Sequence, residues 1–271
     1  MATSLISYPD LTLTAGLSGG DWLTALPLTN LQDEDLANKC RSTNDAAASS
    51  IILVDLGAAQ AIRLISLCAH NISEAGTIQV RGYSDAGYTT LVTGADTTAL
   101  DAWPTAFTAA TVAKYPKNWT YCFTSDKTAR YWKVEITDTT NPDGYIELGR
   151  LWLGAATFEP QFGIAAGSGM GYISRDVIEE SLGGIRWGEK RTPKRELTGV
   201  FQVLTPAEKR LALIMQKELT TTDEAFWVRY AGASADDLLL EAFPCYFKTT
   251  SLLTYPYLNN NEMPIDIEER I

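Results

Sequence analysis

Short runs of β-branched and aromatic residues, each closed by Gly, Asn, Asp or Pro, fill the first 157 residues and predict an all-β half. The clearest strands are Ile51 to Leu56, Ile62 to Cys68, Thr77 to Ser84, Tyr131 to Thr137 and Tyr145 to Leu153. From Tyr131 to Ile136 the chain alternates, with Trp132, Val134 and Ile136 on one face and Lys133 and Glu135 on the other. That is the pattern of a sandwich strand with one wet side.

Phe158 to Met170 is rich in Gly, Ala and Ser and has no periodicity. It predicts a linker at 158–170 between a domain over 1–157 and another over 171–271. Past it, Asp176 to Arg186 and Arg195 to Leu204 predict two long strands joined by a polar loop, Trp187 to Lys194. One helix follows: Thr205 caps it, Pro206 occupies its first turn, Glu208 completes a capping box, and Leu211, Ile214, Met215 and Leu219 form its apolar stripe. Strands over Glu224 to Tyr230 and Leu238 to Thr249, and an edge strand over Pro264 to Ile271, complete an antiparallel α+β domain with one helix. The fold class expected is therefore mainly β, a sandwich followed by an α+β unit, with no internal repeat.

Composition narrows the function. With 271 residues and 45% hydrophobic content the chain has ample material for a buried core. It contains no run of about 18 apolar residues and starts without a basic, then apolar, leader, so membrane insertion is not expected and assembly in a cytoplasm is. The formal charge of −11, spread as −6 over 1–157 and −5 over 158–271, argues against a free-standing nucleic-acid binder. Cys40, Cys68, Cys122 and Cys245 stand far apart with no C-x-x-C spacing and no nearby histidine, so free buried thiols are expected, with no metal or cofactor.

Catalytic chemistry finds little to use. His70 is the single histidine, and no nucleophile elbow accompanies it. The carboxylates Glu179-Glu180 and Glu268-Glu269 are neighbours on strands and point to opposite faces, while Asp33-Glu34-Asp35 lacks calcium-loop spacing and reads as a solvated acidic loop. Gly167-Ser168-Gly169-Met170-Gly171 opens no helix and reads as a hinge, not a phosphate cradle. No enzyme is expected. Two clusters remain. Arg186, Lys190, Arg191, Lys194 and Arg195 form either a solvated hairpin tip or a docking arm that meets an acidic patch on a neighbouring subunit. Trp103, Tyr115, Trp119 and Tyr121 belong either to the core or to exposed loops of the kind that stack on sugar rings.

Val54-Asp55-Leu56-Gly57 followed by Ile62-Arg63-Leu64-Ile65, and later Ala129-Arg130-Tyr131-Trp132-Lys133-Val134-Glu135-Ile136 with Gly144 to Gly154, resemble the paired strand motifs of discoidin-type (coagulation factor 5/8 type C) domains. The resemblance spans residues 25–155 and implies an eight-stranded jelly-roll sandwich whose loops often bind glycans or lipid headgroups. The family's terminal cysteine pair and a ligand triad are missing. The order of elements after residue 170 is similar to the tail-tube-like fold of long-tailed phages. Together these imply a distal tail or baseplate protein of a siphophage or prophage, located at the virion tail tip. What the resemblance implies is a homo-oligomeric ring, hexamer or trimer, partnered by the tail tube protein and tail-tip hub proteins, with the sandwich outside and DNA only passing through an acidic lumen. The alternative expectation is an adhesion module for host surface glycans.

Overall fold

Nearly every apolar run becomes a strand, and the chain is mainly β. The computed structural model describes residues 3–257 and 260–271. Its first half runs β1 (Leu5–Ser7), β2 (Gly16–Ser18), β3 (Cys40–Arg41), β4 (Ile51–Cys68), β5 (Thr77–Tyr83), β6 (Leu91–Asp96), β7 (Leu100–Asp101), α1 (Ala109–Val112), β8 (Asn118–Thr137), β9 (Glu147–Leu148) and β10 (Arg150–Gly154). The second half runs β11 (Gly169–Ile173), β12 (Val177–Glu180), β13 (Arg186–Glu189), β14 (Lys194–Leu204), α2 (Pro206–Glu218), β15 (Glu224–Val228), α3 (Ala235–Glu241), β16 (Ala242–Phe247), β17 (Thr254–Tyr257) and β18 (Asn260–Glu269).

Two long strands shape the first half. β4 and β8 pair antiparallel from end to end, and their ladder slips between Asp55 and Gln60 and again between Ile62 and Leu64. Such slips bend a strand, and Gly57 takes the left-handed conformation there, at φ +74°. Each strand therefore serves two layers. The later part of β4 pairs with β10, whereas its earlier part pairs with β2, and the later part of β8 pairs with β5. Ile65, Leu67, Leu151 and Leu153 from one layer meet Ile52, Val54, Val80, Trp132 and Val134 from the other in a single core. This is the sandwich that the discoidin-type motifs imply. The strands expected separately at Ile51 to Leu56 and Ile62 to Cys68 are one bent strand.

The second sheet is antiparallel, in the order β1-β15-β16-β18-β14-β11. Its first member comes from the other half of the chain: Leu5, Ile6 and Ser7 pair with Val228, Trp227 and Phe226. Alternation along β15 then sorts the layers. Ala225 and Trp227 face the side where α2 packs, beside Phe201 and Met215. Phe226 and Val228 face the sandwich, beside Leu64 and Trp152. The Trp152 and Phe226 rings lie 5.5 Å apart across that junction.

Several expectations change. The segment 158–170 is no free linker: Phe158 is buried, exchanges backbone hydrogen bonds with Ile6 (2.8 and 3.0 Å), and sets its ring 5.2 Å from Phe201. The hinge expected at Gly167 to Gly171 is partly strand, since Gly169 to Gly171 pair with Thr198 to Glu196. The strand expected over Leu238 to Thr249 starts as α3, because Ser234 caps it and accepts from the N–H of Asp237. Pro264 to Ile271 belongs mostly to β18, which lies between β14 and β16 and is not an edge. The capping box of α2 forms as expected, but only Ala212, Met215 and Leu219 are buried, and Leu211 and Ile214 face outward.

Two arginines are fully enclosed. Arg150 lies at the junction of the halves, 2.9 Å from Asp10 Oδ2 and 2.7 Å from Glu224 Oε2. Arg195 pairs with Glu269 and donates to the carbonyls of Leu239 and Leu240 at 3.0 Å. Removing one member of a buried pair strands the other, so Arg195→Ala is expected to lose about 3–5 kcal/mol in urea unfolding. Glu224 supplies a pH dependence. Burial pushes its pKa up to about 7, against the pull of Arg150. A folded pKa above the unfolded one gives stability that is full below the unfolded value and lost as pH rises toward 7. Unfolding of Glu224→Gln is therefore expected to lose less stability between pH 5 and pH 8 than the unchanged chain.

Candidate functional site

A two-stranded ribbon projects between β11 and β14. β12 and β13 pair only with each other, with Val177 opposite Glu189 and Glu179 opposite Trp187. The turn closes through the Ser181 N–H to the Ile185 carbonyl at 2.9 Å, and Gly184 takes φ +78° there. The strand expected over Asp176 to Arg186 breaks at this turn, because Gly183-Gly184 favours reversal over extension. Every residue from 171 to 193 except Ser181 is exposed. The apolar side chains suffer most: Leu182 is wholly exposed, and Ile178, Ile185 and Trp187 are 52%, 59% and 58% exposed. An isolated hairpin in water is marginal, and exposed apolar groups gathered in one element mark an interaction surface.

The basic residues expected to tip this arm are distributed differently. Arg186 is on the ribbon opposite Glu180. Lys190 and Arg191 lie at its root, where Arg191 is 3.0 Å from Glu189. Lys194 is in β14, 3.3 Å from Glu268, and Arg195 is buried against Glu269, so both belong to the sheet and not to the ribbon. The strand alternation that turns Arg195 inward was visible in Arg195 and Leu197; the carboxylate that receives it, 74 residues on, was not. Between Val177 and Glu189 the ribbon carries Glu179, Glu180 and Glu189 against Arg186 alone, and is acidic.

The four aromatic candidates divide between two clefts. Trp103 and Trp119 are 2% and 6% exposed and belong to the sandwich core, where the Trp103 indole N–H donates to the Ile72 carbonyl at 2.8 Å. Tyr121 is half-buried, its plane 11° from that of Trp119. These three line a cleft of about 760 Å³ with Arg63, Asp101 and Asp236, between β8, the loop after β7 and the start of α3. Tyr115 packs on Phe107 at 4.7 Å and lines a separate cleft of about 720 Å³ with Lys114, Lys117 and Tyr172. They do not form one stacking platform. The charged residues of the first cleft come from β4, β7 and the start of α3, so no local motif announced them.

The histidine and the cysteines are enclosed, whereas the acidic loop at Asp33 to Asp35 is exposed. His70 is fully buried beside Trp103, neither ring nitrogen meets a protein partner, and burial together with Lys117 pushes its pKa down to about 3. Burial pushes the Cys40, Cys68 and Cys122 thiols up to about 12, and all four cysteines are free. Asp33 accepts from the Asp35 N–H, and Glu34 pairs with Arg270 at 2.9 Å. Among the described residues there is no group of three His, Cys, Asp or Glu side chains able to hold a metal ion, and no helix long and apolar enough to cross a membrane.

No protein-family model matches this sequence, and no curated protein matches it. Among solved structures, the chain is similar to CBM32-1 from a family 31 glycoside hydrolase of Clostridium perfringens, at 15% identity and TM-score 0.39, over 54% of this chain and 98% of that one. It is also similar to the lectin domain of lectinolysin complexed with Lewis B antigen, at 18% identity and TM-score 0.39, over 54% and 96%. A third is a Streptococcus pneumoniae fucose binding module, at 13% identity and TM-score 0.39, over 54% and 94%.

Because the ribbon leans on no core, replacing residues 175–190 by a short Gly-Ser turn is expected to leave the thermal midpoint within about 3 °C of the parent, measured by circular dichroism.

Proposed function

We propose that this chain is a structural component of a long-tailed phage virion: a distal tail or baseplate ring subunit that joins the tail tube to the tail tip. One observation carries the reading, the solvent-exposed apolar ribbon of residues 174–193. A secreted or cytoplasmic monomer gains nothing from such an arm, whereas a subunit of a ring buries it against its neighbour. The antiparallel second sheet with its packed α2 serves as the ring-forming body. The sandwich, joined to it through Trp152 and Phe226, decorates the outside. The partners on this reading are further copies of the chain, as a hexamer or trimer, with the tail tube protein above and hub proteins below. DNA passes through a lumen whose negative charge keeps it from sticking. Assembly takes place in the host cytoplasm, without bond chemistry.

A second reading, adhesion to host surface glycans, is favoured by the cleft at Trp103, Trp119 and Tyr121, which joins aromatic edges to Arg63, Asp101 and Asp236. Ring and charged group together are what a pyranose with several hydroxyls requires.

Native mass spectrometry and negative-stain imaging of the full chain separate the two. Rings that vanish when residues 175–190 are excised support the tail reading. A strict monomer at about 100 μM, well above ordinary dissociation constants, sinks it; a blank glycan array and a blank titration with host polysaccharide sink the second.

A further inference from the structure

In the second half two elements gather several exposed apolar side chains each, while Phe162, Leu252 and Tyr255 are exposed outside them. One is the ribbon; the other is the outer face of α2, where Leu213 and Ile214 are 46% and 49% exposed. On a helix, Arg210, Leu213, Ile214 and Lys217 share one face at i, i+3, i+4 and i+7. All four are exposed, opposite the buried Ala212, Met215 and Leu219. On the ribbon, the cross-strand pairing puts Val177, Glu179, Trp187 and Glu189 on one face. Each face thus offers two apolar side chains and two charges, opposite in sign between the faces; Glu189 also meets Arg191 at 3.0 Å, whereas Glu179 has no ion pair among the described residues.

Spacing agrees as well as charge. Arg210 and Lys217 are seven residues apart, about 10 Å along the helix axis. Glu179 and Glu189 are diagonal neighbours across the ribbon, roughly 8 Å apart, and the long basic side chains span the difference. Within one molecule the ribbon and α2 start from opposite ends of β14. The ribbon leaves the sheet where β14 begins, at Lys194, and α2 starts just past where β14 ends, at Leu204. Eleven residues of strand put the root of the ribbon about 35 Å from the start of α2.

We infer that the ribbon of one copy docks on the outer face of α2 of the next, with Val177 and Trp187 covering Leu213 and Ile214 and the glutamates facing Arg210 and Lys217. The inference rests on the ring reading and names its contact. Donor and acceptor surfaces differ, so the contact is head-to-tail and repeats from copy to copy until the rotation closes.

A charge swap in the full chain tests it, read by analytical ultracentrifugation as the concentration at which assembly is half complete. Glu179→Arg and Lys217→Glu are each expected to raise that concentration about tenfold, and the double variant to return within about threefold of the parent. Both positions are exposed, so the melting temperature of each variant serves as the folding control. If excising the ribbon abolishes assembly while Lys217→Glu, Ile214→Asp and the double variant behave like the parent, the ribbon docks elsewhere: the inference falls and the ring reading stands. If the parent itself never assembles, both fall.

Discussion

The junction between the sandwich and the second sheet is the contact on which the rest depends. Trp152 and Leu64 of the sandwich meet Phe226 and Val228 of the sheet, and Arg150 is held there between Asp10 and Glu224. A guanidinium taken out of water is tolerated only where carboxylates and hydrogen bonds replace its hydration. Two pieces of chain, the segment after β1 and strand β15, bring the carboxylates to the arginine that β10 carries, and the Asp33 carbonyl accepts a further hydrogen bond at 3.3 Å. Because β1 itself pairs into the second sheet, the chain crosses this junction at both ends of the sandwich. The two halves therefore pack as one body, and the ribbon projects from a supported base, not from a loose domain.

Apolar surface is distributed unevenly over that body. The sandwich interior, the junction and the face under α2 each enclose their aromatic side chains, down to a histidine held neutral by burial. Against this economy the ribbon and the outer side of α2 stand out, since they leave Trp187, Ile178, Leu213 and Ile214 in water. The hydrophobic effect gives such exposure no benefit inside a single molecule. A partner surface that covers it would gain from each side chain.

Much of the local structure could be read from residue order. The capping box of Thr205 and Glu208 forms because both partners lie within one turn, and the alternation of Trp132, Val134 and Ile136 produces a one-sided strand because the side-chain period of two is a property of the backbone. The helix α3 was missed since Leu238 to Leu240 read equally well as strand, and only packing against β8 and the Ser234 cap resolve that ambiguity. The basic cluster was read as one arm because its members are neighbours in sequence. Alternation in β14 and the distant Glu268 and Glu269 divide it between sheet, core and ribbon root.

Sequence by itself determined the mainly β character, the position of α2 and the sandwich motifs, all of which depend on neighbours within a few residues or on composition. Tertiary structure alone decided that β1 joins the far sheet, that β4 and β8 bend to build two layers, and that Arg195 is buried while Trp187 is bare. The reason is physical: pairing partners and burial are set by contacts between residues remote in the chain, and a residue's own chemistry is the same whether or not a distant strand arrives to cover it.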